Sequence, residues 1–254
     1  LQHLARLHAH PQDVDLLVPF QITPEQRADT ERGNEYSSSI GRLAPGATID
    51  RTRWPDGTLR WRFATAEHVA TAPAIADDGT IYDGGQDDAL YALAPDGTKR
   101  WEFRAGGDFD ATPVIADDGT VYAGNDDDGL YALRPDGTLA WKAVLGGDVR
   151  GAVAVAPDGT IYAGSYDQHL YALAPSGQIK WRVAAADKLH GSPVVTASGV
   201  VLAGAQDERL YAVDAAGVLL WTLPAGGDLD SAPIVGSDGT VYLAGDDGRV
   251  RALR

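Results

Sequence analysis

Ala111 to Val144 reads ATPVIADDGTVYAGNDDDGLYALRPDGTLAWKAV, and the same phrase returns in register from residues 71, 151, 191 and 231. The register is set by Trp61, Trp101, Trp141, Trp181 and Trp221, each 40 residues from the next with no insertion or deletion. A constant period of this size marks a repeat architecture. One unit holds four short apolar runs, Thr112 to Ala116, Thr120 to Gly124, Leu130 to Arg134 and Thr138 to Val144. Asp118-Gly119 and Asp136-Gly137 supply the positive φ of tight hairpins, and Asn125 to Gly129 forms a longer polar loop. Each unit is therefore expected to be a four-stranded antiparallel meander.

Meanders of about 40 residues are the blades of a β-propeller, packed face to face around a channel. The ends of the repeat predict how the ring closes. Leu59 to Phe63 matches a fourth strand with no first three before it, while Ser231 to Arg254 supplies three strands and stops where a fourth begins. An open sheet edge invites association, so pairing these ends gives a composite last blade. The expectation is an all-β fold: a five-bladed propeller of four-stranded blades, closed by the N-terminal strand, over residues 58–254.

Residues 1–57 read as an extension. Leu1, Leu4 and Leu7 have helical spacing, and Thr23-Pro24-Glu25-Gln26 places an N-cap, a first-turn proline and a capping glutamine before Gly33, predicting a second short helix from Pro24 to Arg32. His3, His8 and His10 lack the spacing and companion ligands of a metal site.

The 36 acidic residues against 21 Lys and Arg leave a net charge of −15, which disfavours phosphate backbones and anionic membranes, so no nucleic-acid partner is expected. Without cysteine, disulfides, thiolate metal sites and cysteine nucleophiles are excluded. No stretch approaches the roughly 18 apolar residues of a membrane span, and no signal peptide is visible. The reading is of a monomer.

Leu130-Tyr131-Ala132-Leu133, followed by Pro135-Asp136-Gly137-Thr138 and Trp141, resembles the pyrroloquinoline-quinone (PQQ) type repeat with its tryptophan docking motif of Ala, Gly and Trp. The resemblance covers residues 58–254, and Arg32-Gly33-Asn34 through Ala44-Pro45 looks like the segment that often leads into such propellers. It implies either a quinoprotein dehydrogenase or a non-catalytic scaffold of the kind used in outer-membrane protein assembly, in the periplasm or outside the cell. Family dehydrogenases are longer and carry an adjacent cysteine pair that this chain lacks. The non-catalytic branch is therefore expected, with no cofactor; PQQ or Ca²⁺ is the alternative.

Residues that recur in every blade are read as structural: the tryptophans as wedges between sheets, and Asp87, Asp127, Asp167, Asp207 and Asp247 as loop anchors. Function is sought where the frame is kept and the residue changes. Two rings precede the innermost strands: His68, Asp108, Asp148, Lys188 and Asp228, then Ala70, Asp110, Arg150, His190 and Asp230. Both should reach the channel mouth on the face opposite the Asp-Gly turns, with Tyr166 as an apolar wall. The binding candidates are accordingly Asp108, Asp110, Arg150, Tyr166, Lys188, His190, Asp228 and Asp230, for a protein segment or small ligand; Arg150 and His190 suit a carboxylate-bearing group. A solvated rim and a cation held by several Asp are the competing readings of the same residues. No nucleophile elbow, P-loop, zinc signature or dinucleotide fingerprint appears. A glycan-active hydrolase or carbohydrate-binding propeller is the alternative, with Asp110 and Asp230 as the carboxylate pair.

Overall fold

The computed structural model describes residues 59–254. The predicted extension, its two short helices, its histidines and the lead-in segment lie outside the described residues.

Five antiparallel sheets follow one another along the chain. The first contains β1 (Ala74–Ile75), β2 (Ile81–Gly84), β3 (Ala89–Leu93) and β4 (Lys99–Arg104). The second contains β5 (Val114–Ile115), β6 (Val121–Gly124), β7 (Gly129–Leu133) and β8 (Leu139–Val144). The third contains β9 (Ala154–Val155), β10 (Ile161–Gly164), β11 (His169–Leu173) and β12 (Ile179–Ala184). The fourth contains β13 (Val194–Val195), β14 (Val201–Ala205), β15 (Arg209–Val213) and β16 (Leu219–Pro224). The fifth has three strands, β17 (Ile234–Val235), β18 (Val241–Gly245) and β19 (Arg249–Leu253). Among the described residues there is no helix. The sheets are the blades of a propeller fold.

Both faces of an inner blade are covered, which is why β7, Gly-Leu-Tyr-Ala-Leu, is buried at every position instead of alternating. Tyr82, Leu90 and Ala92 of the first blade pack against Val121, Ala123, Tyr131 and Leu133 of the second, and this junction repeats through the chain. Trp61, Trp101, Trp141 and Trp181 each reach over the next blade and donate to a turn carbonyl there. Trp101 donates to the Pro135 carbonyl at 2.9 Å, and its ring covers Gly137, whose φ of 85° suits the turn and whose missing Cβ makes room. The Asp-Gly-Thr turns are tied internally, as where Asp118 accepts the Thr120 amide at 2.9 Å.

Among the described residues no fourth strand pairs with β19. The sheet β17–β19 ends at three strands, and Val250 is 78% exposed where the equivalent Leu210 is fully buried. Leu59 to Phe63 instead lies on the first blade: the Phe63 and Tyr91 rings meet at 5.2 Å, and Trp61 donates to the Pro95 carbonyl at 3.0 Å. Burying Trp61 and Phe63 against the following blade fixes the segment. Pairing its backbone with the preceding sheet is a separate requirement, which the repeat pattern alone does not guarantee.

Candidate functional site

The loop-rich rim is assembled from two kinds of segment. The first is the connection between blades, where the triplets Asp108-Phe109-Asp110, Asp148-Val149-Arg150, Lys188-Leu189-His190 and Asp228-Leu229-Asp230 alternate polar, apolar, polar. The middle residue is buried each time and pins its polar neighbours at the surface. The second is the loop between second and third strands. Its backbone is held to the connection by the amides of Gln86, Asp126, Tyr166, Gln206 and Asp246, bonded to the carbonyls of His68, Asp108, Asp148, Lys188 and Asp228.

The recurring aspartates secure these loops from below. Asp87, Asp127, Asp167 and Asp207 each accept the hydroxyl of the tyrosine four residues on. Asp87 and Asp127 also accept amides of the incoming connection, from Ala66 at 2.9 Å and Gly106 at 3.1 Å. In the fifth blade Arg251 stands in the tyrosine position and pairs with Asp247.

On this frame a third ring meets the two read from sequence. Gln86 donates to Asp110 at 3.0 Å, Asp126 receives Arg150, Tyr166 meets the His190 ring at 5.7 Å, and Gln206 donates to Asp230 at 3.1 Å. Of this ring the sequence reading above includes only Tyr166. Gln86, Asp126, Gln206 and Asp246 vary at a constant 40-residue spacing, so the rule that found the first two rings applies equally to this column.

The structure groups the expected residues differently from a single pocket with opposed charges. Arg150 is engaged by Asp126 through two bonds, at 3.0 and 2.5 Å, with Asp148 at 3.4 Å and Asp110 at 4.0 Å. The neighbouring loop thus supplies the carboxylate that the sequence reading assigned to a ligand, and Arg150 keeps Nη1 outside that two-bond pair. Tyr166 stands between two cations, with the Arg150 guanidinium 5.3 Å and the Lys188 ammonium 4.7 Å from its ring centre. His190 Nδ1 lies 3.4 Å from Asp230 Oδ1 without hydrogen-bond geometry. Asp108, Asp110 and Asp126 bring carboxylate oxygens within 4.8 Å of one another, but Arg150 already shares that cluster.

Burial raises the Asp108 carboxyl above the ordinary range, and Asp110 and Asp88 add to it. Asp228 is raised by burial, then by Asp230 and Asp246. Asp126 is raised as well, burial outweighing its bonds to Arg150. Two acidic stretches thus flank the Tyr166 cluster. Among the described residues the side chains of Asp108 and Asp228 accept no hydrogen bond.

A family model described as outer membrane protein assembly factor BamB, of PQQ-like repeats, matches residues 46–147 and again 130–254. The chain belongs to this family. No curated protein sequence matches it. Among solved structures, BamB from Moraxella catarrhalis is 22% identical with a TM-score of 0.65, over 77% of this chain and 63% of that one. The computationally designed Ika8 protein is 17% identical, with a TM-score of 0.62 over 72% and 57% of the two chains. The WD40 β-propeller domain of Doa1 is 14% identical, with a TM-score of 0.61 over 72% and 62%. At these identities the likeness is one of fold. The chain spans less than two thirds of the length of each. No helix among the described residues is long and apolar enough to cross a membrane.

Proposed function

We propose that this BamB-family propeller is a non-catalytic scaffold that binds a protein segment on its loop-rich rim, in the periplasm, where outer-membrane proteins are assembled. The observation that carries the reading is the state of the rim charges. Arg150 is paired with Asp126, whereas among the described residues the half-buried Asp108 and Asp228 accept no hydrogen bond, and Asp246 near Asp228 is exposed. An extended segment bearing Lys or Arg satisfies these carboxylates, and Tyr166 offers it an apolar stop. Asp110 and Asp230, the carboxylates of the hydrolase alternative, are each held by a glutamine amide, which suits a binding surface better than a proton-transfer pair. A quinone bearing three carboxylates matches this rim poorly, since its anions would meet Asp108, Asp110 and Asp126.

The test is fluorescence anisotropy with matched extended peptides, one carrying lysines and one glutamates. The basic peptide should bind, weaken with salt, and lose at least about tenfold in affinity in Asp108→Asn with Asp228→Asn. Equal binding of both peptides, or affinity unchanged in the double variant, sinks the proposal.

A further inference from the structure

Arg150, Lys188 and His190 converge on one ring. The Arg150 guanidinium lies 5.3 Å and the Lys188 ammonium 4.7 Å from the centre of Tyr166, and the His190 ring meets it edge-on at 5.7 Å. Tyr166 belongs to the third blade and Lys188 to its connection with the fourth, so described blades stand on both sides of this sector. The connection into the second blade carries Asp108 and Asp110, and the connection into the fifth carries Asp228 and Asp230. Along these blades the rim is thus acidic, then basic, then acidic again.

The two fixed cations of the basic sector are in different states. Arg150 has the carboxylates of Asp126, Asp148 and Asp110 around it, at 2.5, 3.4 and 4.0 Å. Lys188 is exposed, and among the described residues its ammonium forms no ion pair and no hydrogen bond. Asp187, its neighbour in the chain, turns its carboxylate to the Lys188 backbone amide at 2.8 Å instead. The negative face of the Tyr166 ring attracts the ammonium and holds the long side chain in place. A ring face satisfies only the side of the ammonium turned towards it, so the remaining N–H groups are left for a stronger, ionic acceptor. The Tyr166 hydroxyl makes no hydrogen bond among the described residues either, and offers a second donor on the same ring.

We infer that the segment held on this rim places one carboxylate at Lys188, beside Tyr166, with basic residues to either side of it. This rests on the rim binding proposed above and adds the order of charges in the partner: an acidic residue flanked by Lys or Arg, not an unbroken basic run. An unbroken run would set a cation against Lys188 and Arg150, and like charges brought together at an interface cost affinity. Because acidic sectors lie on both sides, the segment continues past Lys188 in both directions. The carboxylate is therefore that of an Asp or Glu side chain and not of a chain end.

The test is fluorescence anisotropy of the full chain with end-blocked, lysine-flanked extended peptides, identical except for a central Glu, Gln or Lys. The Glu-centred peptide should bind about threefold more tightly than the Gln-centred one, the size of a partly exposed ion pair, and the Lys-centred peptide should bind least well. A peptide that stops at the central position in a free carboxylate should bind less well than the Glu-centred one. Lys188→Met keeps an unbranched side chain over Tyr166 and should abolish the preference, whereas Lys188→Glu should reverse it, so that the Lys-centred peptide binds best. Lys188 is exposed, so both variants should stay folded. Asp108→Asn with Asp228→Asn should weaken all three peptides and keep their order. Equal affinities for the three in the wild type, or a preference that survives Lys188→Met, overturn the inference and leave the rim binding standing. Equal binding of the shortened peptide overturns the side-chain assignment. Binding by none of the peptides overturns both the inference and the rim binding on which it rests.

Discussion

A Cβ placed on Gly124 would stand 2.1 Å from the carbonyl oxygen of Val149. The connection to the third blade passes this close to the second strand, and Val149 is the buried residue that holds Asp148 and Arg150 at the rim. Gly124→Ala must displace backbone, not the end of a flexible side chain. We expect a loss of about 2–3 kcal/mol in urea denaturation, the upper range for overpacking, with a shift in the Arg150 side-chain resonances. An unchanged midpoint would mean that the connection moves freely.

Trp141 and Trp221 occupy equivalent positions in unequal surroundings. Trp141 donates to the Pro175 carbonyl at 2.9 Å and packs into the junction of the second and third blades. Trp221 is 44% exposed and donates to no carbonyl among the described residues. Trp141 is only partly buried, so Trp141→Ala should destabilise by about 2–3 kcal/mol, below the range for a fully buried aromatic. Trp221→Ala should stay below about 1 kcal/mol. Equal losses in calorimetry would contradict this difference.

Arg150 holds three carboxylates, Asp126, Asp148 and Asp110. Removing it leaves like charges together in a partly solvated place, so Arg150→Ala should destabilise by about 1–2 kcal/mol at low salt and less at high salt. Arg150→Lys should recover little, because an ammonium cannot reproduce the two-bond grip on Asp126. Full rescue by lysine would reduce the role of Arg150 to point charge.

The turns set the acid limit. Thr80 donates its hydroxyl and amide to Asp78, with Arg100 alongside, holding that carboxyl at about 2. Asp96, Asp118, Asp136, Asp158 and Asp238 are lowered by their own turn threonines. A carboxyl whose folded pKa lies below its unfolded one stabilises above the unfolded value, and that contribution is lost as pH falls through the folded value. Asp108, Asp126 and Asp228 are raised, so their protonation favours the fold and partly offsets the loss. The urea midpoint should hold down to about pH 4 and fall between about pH 4 and 2. Asp→Asn at 118, 136 and 158 together should flatten that fall; an unaltered acid profile would assign it to other groups.

The sequence by itself determined the blades. The 40-residue spacing of Trp61 through Trp221, the Asp-Gly turns and the apolar runs fix strand order and antiparallel pairing, because hairpin formation is local and each turn carries its own chemistry. It also located the face on which the variable side chains gather. The tertiary structure decided what those side chains do to one another. That Asp126 takes Arg150, and that Gln86 and Gln206 hold Asp110 and Asp230, depends on contacts 24 residues apart between adjacent blades. The last blade was decided in the same way. Leu59 to Phe63 has the pattern of a fourth strand and buries Trp61 and Phe63 on the first blade as that pattern requires, but side-chain burial on one blade does not bring the backbone into register with β19, which is a contact between distant parts of the chain.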